Sequence, residues 1–374
     1  NMKFTVSSQA FYSHLSAASK VMSAKNSMPI LDCFLIDVRN GQVSITASDG
    51  EKYFITAIDL IDSDNNAVLC LPAKTIMESI KELAEQPLTI DYNPETLEIH
   101  GLHQTGSFNI MAQPADQYPP QQAMGEELTT VTMPAATLVS GIGRCLFATA
   151  NDEIRLVMTG VYLDIHTDSI TFAGTDGRKL VRYINRNVQP GVETGFILPK
   201  KVANIVKGLL QKEQEVTLTF DKERANIKTE TFDLYFRMIE GNYPNYNAVI
   251  PTNNPFEATV DRASLISALK RVSVLCNQST GLMKLQLDAN TLTLSVQDYD
   301  FATSAKENLM CDYTNQPVSI GFNCLYMIEM ASILNSDNVT LRLADPSRPG
   351  LMAPTEEPEG EETLTMLMPM MLQD

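Results

Sequence analysis

The 374-residue sequence predicts an α+β protein made of three tandem, similar domains. Three observations predict it: a helical stripe recurs at a fixed register, an alternating strand run follows each copy, and a second helix follows each run. Phe11, Leu15, Ala18 and Met22 stand at i, i+4, i+7 and i+11, one face of an α-helix. Leu138, Ile142, Cys145 and Thr149 repeat that stripe 127 residues on, and Leu265, Leu269, Val272 and Cys276 repeat it 127 further. A period so far above that of solenoid repeats implies whole tandem domains.

The elements follow in order. Residues 7–22, 134–149 and 261–276 are the three first helices. Val43, Ile45 and Ala47 alternate up to Asp49, as Ile170, Phe172 and Gly174 do up to Asp176, and Leu292, Leu294 and Val296 up to Asp298. Such alternation reads as half-buried strands. Asn40-Gly41 before the first run signals a type I′ hairpin, hence an antiparallel meander. The second helices span residues 73–85, 199–212 and 322–335, with Pro72 and Pro199 placed for a first turn. Proline-bearing polar stretches, Tyr118-Pro119-Pro120 to Gly125 and Asn247 to Pro255, read as linkers. The expected domains are therefore 2–122, 127–251 and 255–374, each of common domain size.

No run approaches membrane-spanning length, so a soluble, cytoplasmic chain without a membrane partner is expected. Cys33, Cys70, Cys145, Cys276, Cys311 and Cys324 are scattered without C-x-x-C spacing, which reads as reduced, inert thiols and no zinc site. His14, His100, His103 and His166 form no metal-ligand spacing, and no phosphate loop, dinucleotide fingerprint or H-E-x-x-H is present. Thr175-Asp176-Gly177-Arg178-Lys179 lacks the helix start of an anion loop and reads as a tight turn with Gly177 at positive φ. Neither a catalytic set, a metal nor a cofactor is expected.

The net charge is −17, which argues against a nucleic-acid partner until the charges are sorted by element. The six expected helices hold eleven basic and five acidic residues, and the rest of the chain is strongly acidic. A locally positive helix surface attracts phosphate even on an acidic protein. Lys200, Ala203, Asn204, Lys207 and Gln211 share a helix face, and Arg144 and Arg271 occupy equivalent positions off their apolar stripes. Lys20 is the only charge in the first helix. Ordinary solvated helix faces account for the same pattern. The terminal run Met366 to Leu372 reads both as a last strand ended by Pro369 and as an adaptable, methionine-rich lip for apolar peptides.

Over essentially its whole length the chain resembles the bacterial DNA polymerase III β-subunit family of sliding clamps. The motifs are Met2-Lys3-Phe4-Thr5-Val6, Met28-Pro29-Ile30-Leu31, Thr175 to Leu180, Gly241-Asn242-Tyr243-Pro244-Asn245-Tyr246 and the terminal Met368-Pro369-Met370. The resemblance implies three clamp domains and a head-to-tail homodimeric ring around double-stranded DNA, with helices lining the hole and antiparallel sheets outside. By family position, Lys20, Lys25, Arg144, Arg155, Lys200, Lys201, Lys207, Lys270 and Arg271 would face DNA. Phe108 and Ile110 of one subunit would meet Val274 and Leu275 of the other, with Lys74 opposite Asp298 or Asp300.

The implied partners are the replicative polymerase α subunit, the clamp loader, translesion polymerases, ligase and mismatch-repair proteins. They would dock by short apolar peptides in a pocket of Met158, Thr175, Gly177, Arg178, Lys179, Leu180, Pro244, Val249, Asn323, Tyr326, Pro349, Met368, Pro369, Met370 and Leu372. Met371 and Ala248 stand where relatives often carry basic residues, and Gln373-Asp374 extends past the usual end. The Leu156-Val157 loop lacks tyrosines that some relatives set against DNA. A monomeric three-domain scaffold or enzyme is the competing reading.

Overall fold

A computed structural model describes residues 1–372; the Gln373-Asp374 extension lies outside the described residues. The chain packs as two compact units, Asn1–Ala136 with Gly208–Met238, and Thr137–Lys207 with Ile239–Asp374. The cut falls inside the second sequence repeat because each unit contains one antiparallel sheet shared by two repeats.

In the first unit that sheet has eight strands. Their order is Thr129–Pro134, Glu215–Phe220, Arg224–Lys228, Phe232–Arg237, Tyr53–Asp59, Gln42–Ser48, Cys33–Arg39 and Ala67–Pro72. The join between repeats is the pairing of Phe232–Arg237 with Tyr53–Asp59. A second sheet runs Asp62–Ser63, Met2–Ser7, Pro87–Asn93, Glu98–His103, Gly106–Met111, and ends on that last strand. Helix α1 (Ser8–Ser19) begins where the Ser7 hydroxyl accepts the Ala10 N–H, and it buries Phe11, Leu15 and Ala18. Phe11 meets Phe4 edge to face, with 6.3 Å between ring centroids. Asn40 and Gly41 both take positive φ between Arg39 and Gln42, as a type I′ hairpin needs.

The second unit repeats the plan. Its eight-stranded sheet runs Thr194–Leu198, Val161–His166, Ser169–Thr175, Lys179–Asn185, Glu361–Leu367, Gly350–Pro354, Asn338–Leu343 and Phe256–Asp261. Lys179–Asn185 paired with Glu361–Leu367 is the join. A four-stranded sheet, Thr303–Met310, Thr291–Asp298, Leu282–Asp288, Val318–Asn323, ends on Thr303–Met310.

All six helices form, each shorter than the periodicity predicts. Helix α2 is Ala73–Ile80, α3 Ala135–Cys145, α4 Lys200–Leu209, α5 Arg262–Ser273 and α6 Cys324–Ser332. After α2 the Leu83 N–H bonds back only three residues, to Ile80, so the helix tightens into a turn. Residues 146–148 and 210–212 continue α3 and α4 as 3₁₀ turns. Phe322 stays in a strand because Asn323 caps α6, accepting the Tyr326 N–H at 3.1 Å. Pro72 ends a strand and caps α2 instead of entering its first turn. Tyr118, placed in a linker by its sequence, is buried with Ile30, Leu31, Cys33, Tyr53 and Cys70.

Two glycines in α3 make a paired prediction. A Cβ on Gly141 would sit 2.3 Å from the Phe172 ring, whereas one on Gly143 meets nothing within 4 Å. Gly141→Ala is expected to destabilise the protein by about 1–3 kcal/mol through overpacking. Gly143→Ala is expected to stabilise it by up to about 1 kcal/mol through helix propensity. Denaturant midpoints of the two variants check both; equal shifts would discount the Phe172 contact.

Candidate functional site: an apolar groove and a basic helix surface

The turn between Ser169–Thr175 and Lys179–Asn185 is built by its own side chains. The Thr175 hydroxyl donates to the Lys179 carbonyl (2.7 Å) and accepts the Gly177 N–H (3.1 Å). The Asp176 carboxylate accepts the N–H groups of Arg178 (2.8 Å) and Lys179 (3.0 Å). Gly177 supplies φ +88°, so the tight turn expected from sequence is observed.

The register buries Lys179. Its ammonium lies 3.8 Å from the Tyr326 ring centroid and 5.4 Å from that of Phe147. Glu329 Oε1 is 3.7 Å away and Asp176 Oδ2 4.0 Å. Two rings and two carboxylates hold a charge that could not otherwise be buried.

Leu180 then enters an apolar floor with Ala173, Tyr246, Leu351, Leu364 and Met366, against which Tyr162 and Tyr243 pack. Tyr162 stacks on Tyr243 at 4.5 Å, and Tyr246 donates to Asp164 Oδ2 at 2.5 Å, which fixes the loop bearing Pro244 and Val249. Met158 lies in the 3₁₀ turn Leu156–Thr159, whose Val157 fills the space beside Gly241. Pro349 is half-buried, its carbonyl taking a hydrogen bond from Asn254.

The chain end is tied to the turn and to the strand Val318–Asn323. The Met366 to Leu372 run is a strand through Leu367, followed by a tail that bridges Gly321 through Met370. The Met368 N–H donates to the Arg178 carbonyl (2.8 Å) and the Met370 N–H to the Gly321 carbonyl (2.7 Å). A Cβ on Gly321 would come 2.5 Å from the Met370 oxygen and 3.0 Å from Leu372. Val249, Leu325 and Met368 are exposed, and Met371 is 90% exposed.

Gly321, Phe147 and Glu329 were not legible as members of this site. The sequence signals neither a backbone approach across 49 residues nor the partners of a buried lysine.

The basic set divides. Lys20, Lys25, Lys201 and Lys270 are exposed, and Lys207 is half-buried. Four others serve neighbours. Lys200 donates to the Ala150 carbonyl (2.9 Å) and Asn151 Oδ1 (2.7 Å); burial, then the Lys179 charge, lowers its pKa. Arg144 lies 4.4 Å over the Tyr183 ring. Arg155 pairs with Asp152 at 2.9 Å and donates to the Asp176 carbonyl, so it braces the groove's turn. Arg271 holds Glu307 through two N–H···O bonds of 2.5 and 2.7 Å. Ala203, expected on the polar face of α4, is buried.

The interface set also divides. Val274, Lys74 and Asp300 are exposed, Phe108 and Leu275 half-buried. Ile110 and Asp298 are buried within the single chain, and Asp298 accepts the Asp300 N–H at 3.0 Å. Strand alternation turns each inward.

The six cysteines are free, and burial pushes Cys33 up to about 11 and Cys70 and Cys324 to about 12, far from thiolate reactivity at neutral pH. Among the described residues no group of three or more His, Cys, Asp or Glu is placed to hold a metal ion. No helix among them is long and apolar enough to cross a membrane.

Three sheet-and-helix repeats joined through shared sheets, with a chain end bonded to the Arg178 turn and to Gly321, define a three-domain clamp. Models of the DNA polymerase III β-subunit N-terminal, central and C-terminal domains match residues 2–122, 132–245 and 247–371. The chain belongs to the DNA polymerase III β-subunit family, the sliding clamps of DNA replication. The β sliding clamp of Synechococcus elongatus is 26% identical over 365 residues, covering 94% of this chain and 96% of that protein. That of Treponema pallidum is 27% identical over 356 residues, covering 93% and 94%. The fold matches a Pseudomonas aeruginosa sliding clamp with TM-score 0.92 at 22% identity, over all of both chains. It matches the Thermotoga maritima β subunit with TM-score 0.90 at 22% identity, again over all of both.

Proposed function

We propose that two copies of this chain close head to tail into a ring that encircles duplex DNA without reading its sequence and gives the replicative polymerase its processivity. The observation that carries this is a pair of open strand edges. Repeats one and two join through Tyr53–Asp59 and Phe232–Arg237, repeats two and three through Lys179–Asn185 and Glu361–Leu367. The corresponding strand of repeat three, Thr303–Met310, ends its sheet with its outer edge unpaired, as does Gly106–Met111 of repeat one. Open edges template pairing, and a third join of the same kind is heterologous, so it closes a ring when the rotation allows. Exposed Val274, Tyr299, Phe301 and Met310 surround one edge and Met111 lies on the other.

Within the ring the helices would face the duplex. Lys20, Lys25, Lys201 and Lys270 supply weak phosphate contacts that permit sliding, while the acidic remainder repels DNA elsewhere. The protein is then a non-catalytic cytoplasmic factor without a cofactor. The groove beside Lys179 takes short apolar peptides of the polymerase α subunit, clamp loader, translesion polymerases, ligase and mismatch-repair proteins.

Loaded with its clamp loader, the protein is expected to remain on circular DNA and to leave linear DNA through the ends. Gel filtration of the two complexes measures this. Equal loss from both would sink topological retention.

A further inference from the structure

The Asp176 turn has a counterpart in the first repeat at a register of 127, and the match extends to individual hydrogen bonds. The Gly50 N–H donates to the Ser48 hydroxyl at 2.9 Å, as Gly177 does to Thr175. The Asp49 carboxylate accepts the N–H groups of Glu51 (2.9 Å) and Lys52 (2.7 Å), as Asp176 does from Arg178 and Lys179. Gly50 takes φ +95°. Lys52 is buried beside Asp49 at 2.5 Å, as Lys179 is buried beside Asp176. The 3₁₀ turn Pro29–Asp32 matches Leu156–Thr159, so Leu31 corresponds to Met158. The third repeat keeps only the aspartate: Tyr299 and Phe301 replace the glycine and the lysine.

The two full copies differ in filling. Met158 and Val157 are half-buried beside the open groove, whereas Leu31 is 2% exposed and Ile30 is buried with it. Leu31 Cδ1 lies 3.7 Å from where a Gly50 Cβ would be. Leu31 and Ile30 close an apolar cluster with Tyr53 and Tyr118. Tyr118 is 8% exposed, and its hydroxyl has no hydrogen-bond partner. In the second repeat Tyr246 donates to Asp164; the matching Asp37 is engaged by Arg39 at 2.7 Å instead. A buried hydroxyl without a partner is an unmet demand for an acceptor at this position.

We propose that the Asp49–Lys52 turn is a second copy of the peptide site, held shut by Ile30 and Leu31. When that plug is shortened it takes the same ligand class, a short peptide with apolar side chains. One such side chain replaces Leu31 against Gly50 and Tyr53, and a peptide carbonyl accepts from the Tyr118 hydroxyl. This inference rests on the reading of the open groove as a peptide site.

Calorimetric titration with an acetylated hexapeptide ending in Leu-Phe tests it. Wild type is expected to bind one peptide per chain and Leu31→Ala two. The new site would be at least about 30-fold tighter than any second event in wild type, because the plug no longer competes. Leu31→Met, which conserves volume, should bind one. Ile30→Ala opens the plug from its other residue and should also bind two, which guards against a Leu31→Ala chain that does not fold. Removing Met368 to Leu372 from Leu31→Ala should leave one site, the new one. Adding Tyr118→Phe should weaken that site about fivefold through the lost hydrogen bond. One peptide per folded Leu31→Ala and Ile30→Ala chain would overturn the second site. No peptide on wild type would instead overturn the groove on which it rests.

Discussion

Deletion of Met368 to Leu372 is expected to abolish binding of a polymerase-derived peptide while leaving the dimer intact. The cut falls beyond the Glu361–Leu367 strand, so the pairing with Lys179–Asn185 that joins repeats two and three is untouched. What is lost is the wall of the groove, which two main-chain hydrogen bonds hold in place, Met368 to Arg178 and Met370 to Gly321. Removing a wall that excludes water from apolar anchors costs about 3 kcal/mol or more, roughly a hundredfold in affinity. Gly321→Val tests the same wall without a truncation. Its Cβ would collide with the Met370 carbonyl, a backbone atom that cannot rotate away, so the tail must lift. Met371→Ala is the contrast, because that side chain stands almost wholly in solvent and should change affinity by less than about threefold. Fluorescence anisotropy with a labelled peptide reads all three. Wild-type affinity in the deletion would refute the groove assignment.

Periodicity carried the repeat, the six helices and the alternating strands, because a buried face imposes its spacing on sequence directly. The Asn40-Gly41 hairpin and the Gly177 turn were legible for a related reason: their backbone angles admit few residue types. Other features depend on what lies opposite in space. Ile110 and Asp298 share strands with exposed neighbours, and only sheet register decides which way each points. Arg144, Arg155, Lys200 and Arg271 count as positive charges in any tally of the helices and their flanks. Their partners, Tyr183, Asp152, the Ala150 carbonyl and Glu307, lie off the helices that were counted. The shared sheets were invisible for the strongest reason. Strand pairing between Tyr53–Asp59 and Phe232–Arg237 joins residues far apart in sequence, and local pattern says nothing about which edges meet.

Charging one open edge is expected to have the second large effect. Val274 is 74% exposed at the C-cap of α5, while Leu275 beside it packs on its own domain core. The Thr303 hydroxyl donates to the Leu275 carbonyl at 3.2 Å, which ties this corner to the first residue of the edge strand Thr303–Met310. Val274→Glu therefore places a carboxylate at the proposed join without disturbing a buried contact. Desolvating an unpaired charge there should weaken dimerisation by about 3 kcal/mol or more, at least a hundredfold. Val274→Ala should cost less than about 1.5 kcal/mol, since it removes only apolar area. Sedimentation at micromolar concentration distinguishes them: Val274→Glu as a single chain, wild type and Val274→Ala as pairs. The same variant separates ring closure from docking. It should keep the wild-type far-UV circular dichroism and still bind one peptide per chain, because the Lys179 groove lies wholly within one chain. It should nevertheless slip from circular DNA as readily as from linear DNA. A dimer of unchanged affinity would remove Val274 from the join and return the choice of edges to the strands themselves.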